Sequence, residues 1–105
     1  MERKYKVITL CGSIKFKDEF LKIQQQLTLQ GNIVINVDFL DNSPNPIVIT
    51  PKIKAMLDGM HKQRIDMADE IFVINKGGYI GSSTKSEIEY AIKTNKKVNY
   101  LEPIN

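Results

Sequence analysis

Short runs of apolar and β-branched residues alternate with segments of helical periodicity along the chain, and this alternation limits the possible folds more than any other feature. The pattern predicts strands over 5–11, 32–39, 69–75 and 97–101, and helices over 15–30, from Pro51 onwards, and from about Thr84 to Thr94. Strand–helix alternation indicates parallel strands, right-handed crossovers and helices on both faces of one sheet. We therefore expect a three-layer, Rossmann-like α/β fold with a four-stranded parallel sheet in the order 2-1-3-4.

Length and composition favour one small domain that spans residues 1–105, with 42% hydrophobic and 26% charged residues. There is no long apolar run and no signal-peptide pattern, so we predict a cytoplasmic protein without a membrane partner. The single cysteine, Cys11, and the single histidine, His61, argue against a disulfide and against a Cys/His metal site. The net charge of +3 comes from scattered lysines, which does not indicate a nucleic-acid polymer as a partner but suits an anionic small molecule.

Ligands of open parallel sheets bind outside the carboxyl ends of the strands, which here are followed by the loops 12–15, 40–50 and 76–84. In the first loop Gly12 lets the backbone turn, while Ser13 and Lys15 offer a hydroxyl, a backbone N–H and a positive charge to a phosphate. The alternative is an ordinary strand-to-helix turn with Ser13 as its cap. Cys11 itself is interpreted as a small buried apolar residue rather than a reactive thiolate.

Glu87 has two interpretations, and both depend on the Gly- and Ser-rich loop that precedes it. In the structural one, Thr84-x-x-Glu87 is a capping box, and on the residues alone this is the favoured interpretation. In the functional one, Glu87 is a carboxylate at the mouth of the sheet, flanked by donors from Gly81, Ser82 and Ser83. Such a carboxylate can attack an electrophilic carbon or hold a sugar hydroxyl.

His61 lies on the inner side of its predicted helix, because Leu57 precedes it and Ile65 follows it by four residues each. Asp58 lies one turn earlier on the same helix. A lone histidine on an apolar face is more often a core residue than a catalyst, so both roles stay open for His61.

Four motifs together resemble the nucleoside 2-deoxyribosyltransferase superfamily, which includes the 2'-deoxynucleoside 5'-monophosphate N-glycosidases. They are C-G-S-I-K at 11–15, A-D-E-I-F-V at 68–73, E-I-E-Y-A at 87–91 and K-K-V at 96–98, in the family's order over nearly the whole chain. The resemblance implies a flavodoxin-like fold, a homodimer or larger homo-oligomer, and cleavage of the N-glycosidic bond of a nucleoside or nucleoside 5'-monophosphate. It implies neither a metal nor another cofactor.

The resemblance also implies roles for individual residues. Glu87 falls on the glutamate that attacks C1' of the deoxyribose, and Asp58 or His61 would assist the sugar or the base. The residues that would bind phosphate or hydroxyls are Gly12, Ser13, Lys15, Gly81, Ser82 and Ser83.

The chain departs from the family pattern at three positions. Thr9 stands where the family has a tyrosine, His61 where it has an aspartate, and Gly81 where it has a serine or aspartate. These departures motivate an alternative function, a nucleotide-binding or sensor module of the same fold that lacks catalysis.

Overall fold

The computed structural model describes residues 4–40 and 47–104. Strands and helices alternate along the chain as β1 (Val7–Gly12), α1 (Lys17–Leu29), β2 (Ile33–Ile35), α2 (Pro51–Asp66), β3 (Glu70–Ile74), α3 (Ser82–Lys93) and β4 (Lys97–Tyr100). Short 3₁₀ turns, Ile14–Phe16 and Lys76–Gly78, follow β1 and β3. No helix in these two described ranges is long and apolar enough to cross a membrane.

All strand pairs are parallel, and the sheet order β2-β1-β3-β4 confirms the order expected from the alternation. The two central strands are β1 and β3, and their register pairs Gly12 with Ile74. Both strands therefore end at the same level, and the loops that follow them leave the sheet side by side. This places the turn after Gly12 next to the loop that leads into α3.

Helices cover both faces of the sheet, which gives the three layers of a flavodoxin-like fold. On one face, α1 packs Phe20 and Ile23 against Leu10 of β1 and Ile74 of β3. On the other face α2 and α3 pack together, and the buried residues of this core are Cys11, Ile65, Ile71, Val73, Ile88 and Ala91. Neighbouring residues of β1 point to opposite faces, so Leu10 belongs to the first core and Cys11 to the second.

Several boundaries differ from the sequence-based prediction. Strand β2 covers only Ile33–Ile35 instead of 32–39, and α1 begins at Lys17 because the Ile14–Phe16 turn precedes it. Helix α2 begins at Pro51 as expected, and the Thr50 hydroxyl caps it by accepting the Ile53 N–H at 3.2 Å. The spacing of apolar residues along α2 also predicts Met60 on the buried side, but this residue is 42% exposed. Of the predicted loop 40–50, residues 41–46 lie outside the described part of the chain.

Candidate functional site

A cavity of about 420 Å³ lies at the carboxyl edge of the sheet, between the turn after β1, helix α2 and the start of α3. Eight of the nine residues that the sequence nominates line it: Gly12, Ser13, Asp58, His61, Gly81, Ser82, Ser83 and Glu87. The ninth is Lys15, whose Nζ lies instead 3.5 Å from the centre of the Tyr79 ring. Tyr79 itself lines the cavity, so Lys15 lies next to the cavity without lining it.

Glu87 does not cap α3. The helix begins at Ser82 with Gly81 as its N-cap, so Glu87 is the sixth helical residue and not the third. Thr84 is helical and only 4% exposed, and it packs inside the protein instead of capping the end. The capping-box interpretation is therefore wrong, and the Glu87 carboxyl group faces the cavity from the second turn of the helix.

Three polar groups from three different elements meet beside the cavity. The Sγ of Cys11, at the end of β1, lies 3.3 Å from Nε2 of His61 on α2. The same Nε2 lies 3.6 Å from Oε1 of Glu87 on α3. Cys11 and His61 are buried and Glu87 is partly buried, so the carboxyl group is the member most open to the cavity.

Burial shifts the protonation of all three groups. It raises the pKa of Glu87 to about 7, and the negative charge of Asp58 adds to this effect. Burial also lowers the pKa of His61 to about 4, helped by the positive charge of Arg64. The pKa of the Cys11 thiol is raised, again mainly by burial and then by Glu87.

At neutral pH these shifts give a thiol, a neutral imidazole and a carboxyl group that is about half ionised. The contact between His61 and Glu87 is then one between a neutral ring and a carboxyl group, and not an ion pair. A carboxylate that has lost much of its water is a reactive nucleophile or base.

Charged residues that the sequence analysis did not single out also line the cavity. Arg64 bonds Asp38 through Nη2 and Oδ2 at 2.8 Å, and Lys54 pairs with Asp58 at 3.1 Å. Positions 54, 58, 61 and 64 follow one another at intervals of three or four along α2, so they share the side of the helix that carries His61. This spacing could have identified Lys54 and Arg64 as site residues from the sequence alone. Nothing in the sequence marks Asp38.

The turn after β1 fits a close approach of a ligand to the backbone. Gly12 has φ of +149°, and a Cβ added there would lie 2.8 Å from the carbonyl oxygen of Ile74, so only glycine fits. Ser13 accepts the Lys15 N–H at 3.4 Å and caps the following 3₁₀ turn, as the structural interpretation of this segment expects. Ser13 also lines the cavity, so its structural role and a ligand-binding role are compatible.

The start of α3 offers backbone N–H groups to the same cavity. Its N-cap is Gly81, which has no side chain to accept from the first turn, and Ser82, Ser83 and Thr84 all line the cavity. Unbonded N–H groups and the positive end of the helix dipole favour an anion here. Glu87 lies about one helical turn further along α3 than these residues.

No protein-family model matches this chain, and no curated protein matches it in sequence. The resemblance of the four motifs therefore stays a hypothesis, and the function has to be argued from the geometry of the site.

Proposed function

We propose that this protein cleaves the N-glycosidic bond of a nucleoside or nucleoside 5'-monophosphate, by hydrolysis or by deoxyribosyl transfer, with Glu87 as the nucleophile. The observation that carries the proposal is the Glu87 carboxyl group, which is partly desolvated, faces a cavity of about 420 Å³ and has no capping role. The substrate class rests on the motif resemblance, and the cavity volume lies in the usual range for small-molecule sites.

The chemistry would proceed in two displacements at C1' of the sugar. In the first, a Glu87 carboxylate oxygen bonds to C1' as the C1'–N bond breaks, and the base leaves with that electron pair and takes up a proton. In the second, water bonds to C1' and gives up a proton to the solvent, or a nitrogen of a second nucleobase bonds to C1', and the Glu87 oxygen leaves with its electrons. Two inversions give net retention at C1'.

Two neighbours of Glu87 support these steps. The buried His61 ring contacts the Glu87 carboxyl group at 3.6 Å and holds its orientation, which makes His61 a positioning residue. Asp58 lies on the cavity wall one turn before His61, where it raises the pKa of Glu87 and can hold a sugar hydroxyl.

The start of α3 would hold the 5'-phosphate. Ser82, Ser83 and Ser13 line the cavity there, and the first N–H groups of α3 add further donors. Lys15 would add a positive charge from beside Tyr79. Arg64 and Lys54 already have acidic partners, so they contribute less free charge than their number indicates.

The proposal is tested by measuring base release from deoxynucleosides and their 5'-monophosphates by chromatography, with E87Q and E89Q side by side. Glu87→Gln keeps the shape of the side chain but removes the nucleophile, so release should fall by about 1,000-fold or more. Glu89 is exposed on the same helix, so Glu89→Gln is the matched control and should keep the wild-type rate. Full turnover by E87Q would refute the mechanism. Nucleotide binding without base release in the wild type would favour the non-catalytic binding module.

A further inference from the structure

We propose that Cys11, His61 and Glu87 form a binding site for a thiophilic divalent cation of the Zn²⁺ class, with one coordination position open to the cavity. The ligand atoms are Sγ, Nε2 and a carboxylate oxygen, and all three lie within 4.8 Å of one another. The inference goes beyond the proposed function and does not depend on it. It also departs from the expectation, based on residue counts alone, that the chain has no metal site.

Two of the three distances in this cluster, from His61 Nε2 to Cys11 Sγ and to Glu87 Oε1, are close to those around a tetrahedral metal ion. Typical zinc bonds to sulfur, nitrogen and oxygen place neighbouring ligand atoms about 3.4–3.6 Å apart. The observed separations are 3.3 Å between Cys11 and His61 and 3.6 Å between His61 and Glu87. These two distances therefore need to change by only a few tenths of an ångström when an ion binds.

The surroundings favour a cation that keeps a free coordination position. Cys11 and His61 are held rigidly, since both are buried and belong to β1 and α2. His61 and Glu87 line the cavity, so the fourth position faces its interior. Three protein ligands with an open fourth position are typical of catalytic rather than structural zinc sites, and a mixed S, N, O set excludes Mg²⁺ and Ca²⁺.

Binding requires a balanced exchange of protons. The Cys11 S–H bond breaks as the metal–sulfur bond forms, and the proton passes to the solvent. His61 binds through the lone pair of Nε2 and keeps its proton on Nδ1. Glu87 binds as the carboxylate, so the fraction that is protonated also releases its proton. A carboxylate that coordinates a cation is a weaker nucleophile, because the ion withdraws electron density from both oxygens, so a bound ion should slow base release.

Co²⁺ is the probe, because a cobalt–thiolate bond absorbs in the near ultraviolet and a tetrahedral Co²⁺ ion has intense visible bands. The chain has one cysteine and one histidine, so a thiolate band in untagged, reduced protein can come only from Cys11. We expect both bands to saturate at one Co²⁺ per chain and to disappear when Zn²⁺ is added, with no response to Mg²⁺. Absence of the thiolate band at excess Co²⁺ would overturn the proposal, and this result needs no variant.

The variants then identify the ligands. Glu87→Gln should weaken Co²⁺ binding by about 100-fold, while Glu89→Gln on the exposed side of the same helix should bind as the wild type does. Cys11→Ser should remove the near-ultraviolet band, and its circular dichroism spectrum reports whether the buried substitution is tolerated. Equal affinity of E87Q and the wild type would exclude Glu87 as a ligand and overturn the site. Co²⁺ binding is measured without substrate, so its absence would not contradict the proposed glycosidic cleavage. Absence of base release would likewise not contradict the metal site.

Discussion

Glu87 and His61 are neighbours whose pKa values move in opposite directions for the same reason. Burial disfavours the charged form of each, so the carboxyl pKa rises to about 7 and the imidazole pKa falls to about 4. Glu87 thereby becomes able to change its charge near neutral pH, while His61 stays neutral there. A carboxyl group with these properties is suited to chemistry at neutral pH.

The charges on α2 should tune the pH dependence of base release. The rate should rise with pH as Glu87 ionises, with a midpoint of kcat/KM near its pKa of about 7. Asp58→Asn removes a charge that raises this pKa, so the midpoint should move to lower pH. Lys54→Met removes a charge that lowers it, so the midpoint should move to higher pH. Shifts in the same direction, or none, would contradict the assignment of the titrating group to Glu87.

The same shifts predict how stability responds to pH. The folded pKa of Glu87 lies above its ordinary value of 4.5 in an unfolded chain, so its contribution to the free energy of unfolding falls as pH rises from 4.5 to 7. The folded pKa of His61 lies below 6.5, so its contribution rises as pH goes from 4 to 6.5. The two pH dependences have opposite signs, and each changes the free energy of unfolding by on the order of 3 kcal/mol over its pH range.

Glu87→Gln should leave His61 as the main cause of the pH dependence of stability in this range. Relative to the wild type, E87Q should gain stability steadily between pH 4.5 and 7, as measured by urea unfolding at each pH. E89Q removes one carboxylate from an exposed position of α3 and controls for the change in net charge. A constant difference between E87Q and the wild type across this pH range would show that Glu87 is not buried as described.

At the scale of elements, the sequence predicted the order of the strands better than the ends of strands and helices. Apolar runs such as the one around Ile71 identify buried strands, and the alternation with helices determines the sheet order. The pattern Thr84-x-x-Glu87 misled, because a capping motif does not reveal that α3 starts two residues earlier. The contact between Cys11 and His61 joins residues 50 positions apart, and no local pattern encodes it.

Two glycines make a matched pair that tests the turn after β1. Gly12→Ala should destabilise the protein by about 1–3 kcal/mol, because its Cβ would meet the Ile74 carbonyl oxygen at 2.8 Å and φ is +149°. Gly59→Ala, inside α2, meets nothing within 4 Å and should stabilise by about 0.5–1 kcal/mol. Denaturant unfolding of both variants measures the difference. Equal stability of G12A and the wild type would mean that the strand-end geometry is different from that described.

At the scale of the molecule, the cavity lies where β1, α2 and α3 meet. A ligand that spans it would contact the turn after β1, the inner side of α2 and the start of α3 together. A ligand bound only by the folded protein adds to the free energy of unfolding. Thermal unfolding therefore reports binding even when no turnover occurs.

E87Q provides the last test, because binding can be followed without destroying the substrate. At a nucleotide concentration of about 100 Kd the gain in stability is about 2.7 kcal/mol, which raises the Tm of a domain of this size by about 10 °C. We expect a larger rise with a deoxynucleoside 5'-monophosphate than with the deoxynucleoside, and little with inorganic phosphate alone. Ser83→Asp places a negative charge among the N–H groups at the start of α3, where it suits the helix but repels a phosphate. S83D should lose the additional rise in Tm that the 5'-phosphate causes and keep the rise that the deoxynucleoside causes. If S83D leaves the phosphate-dependent part unchanged, the phosphate does not bind at α3, and the orientation proposed for the substrate is wrong.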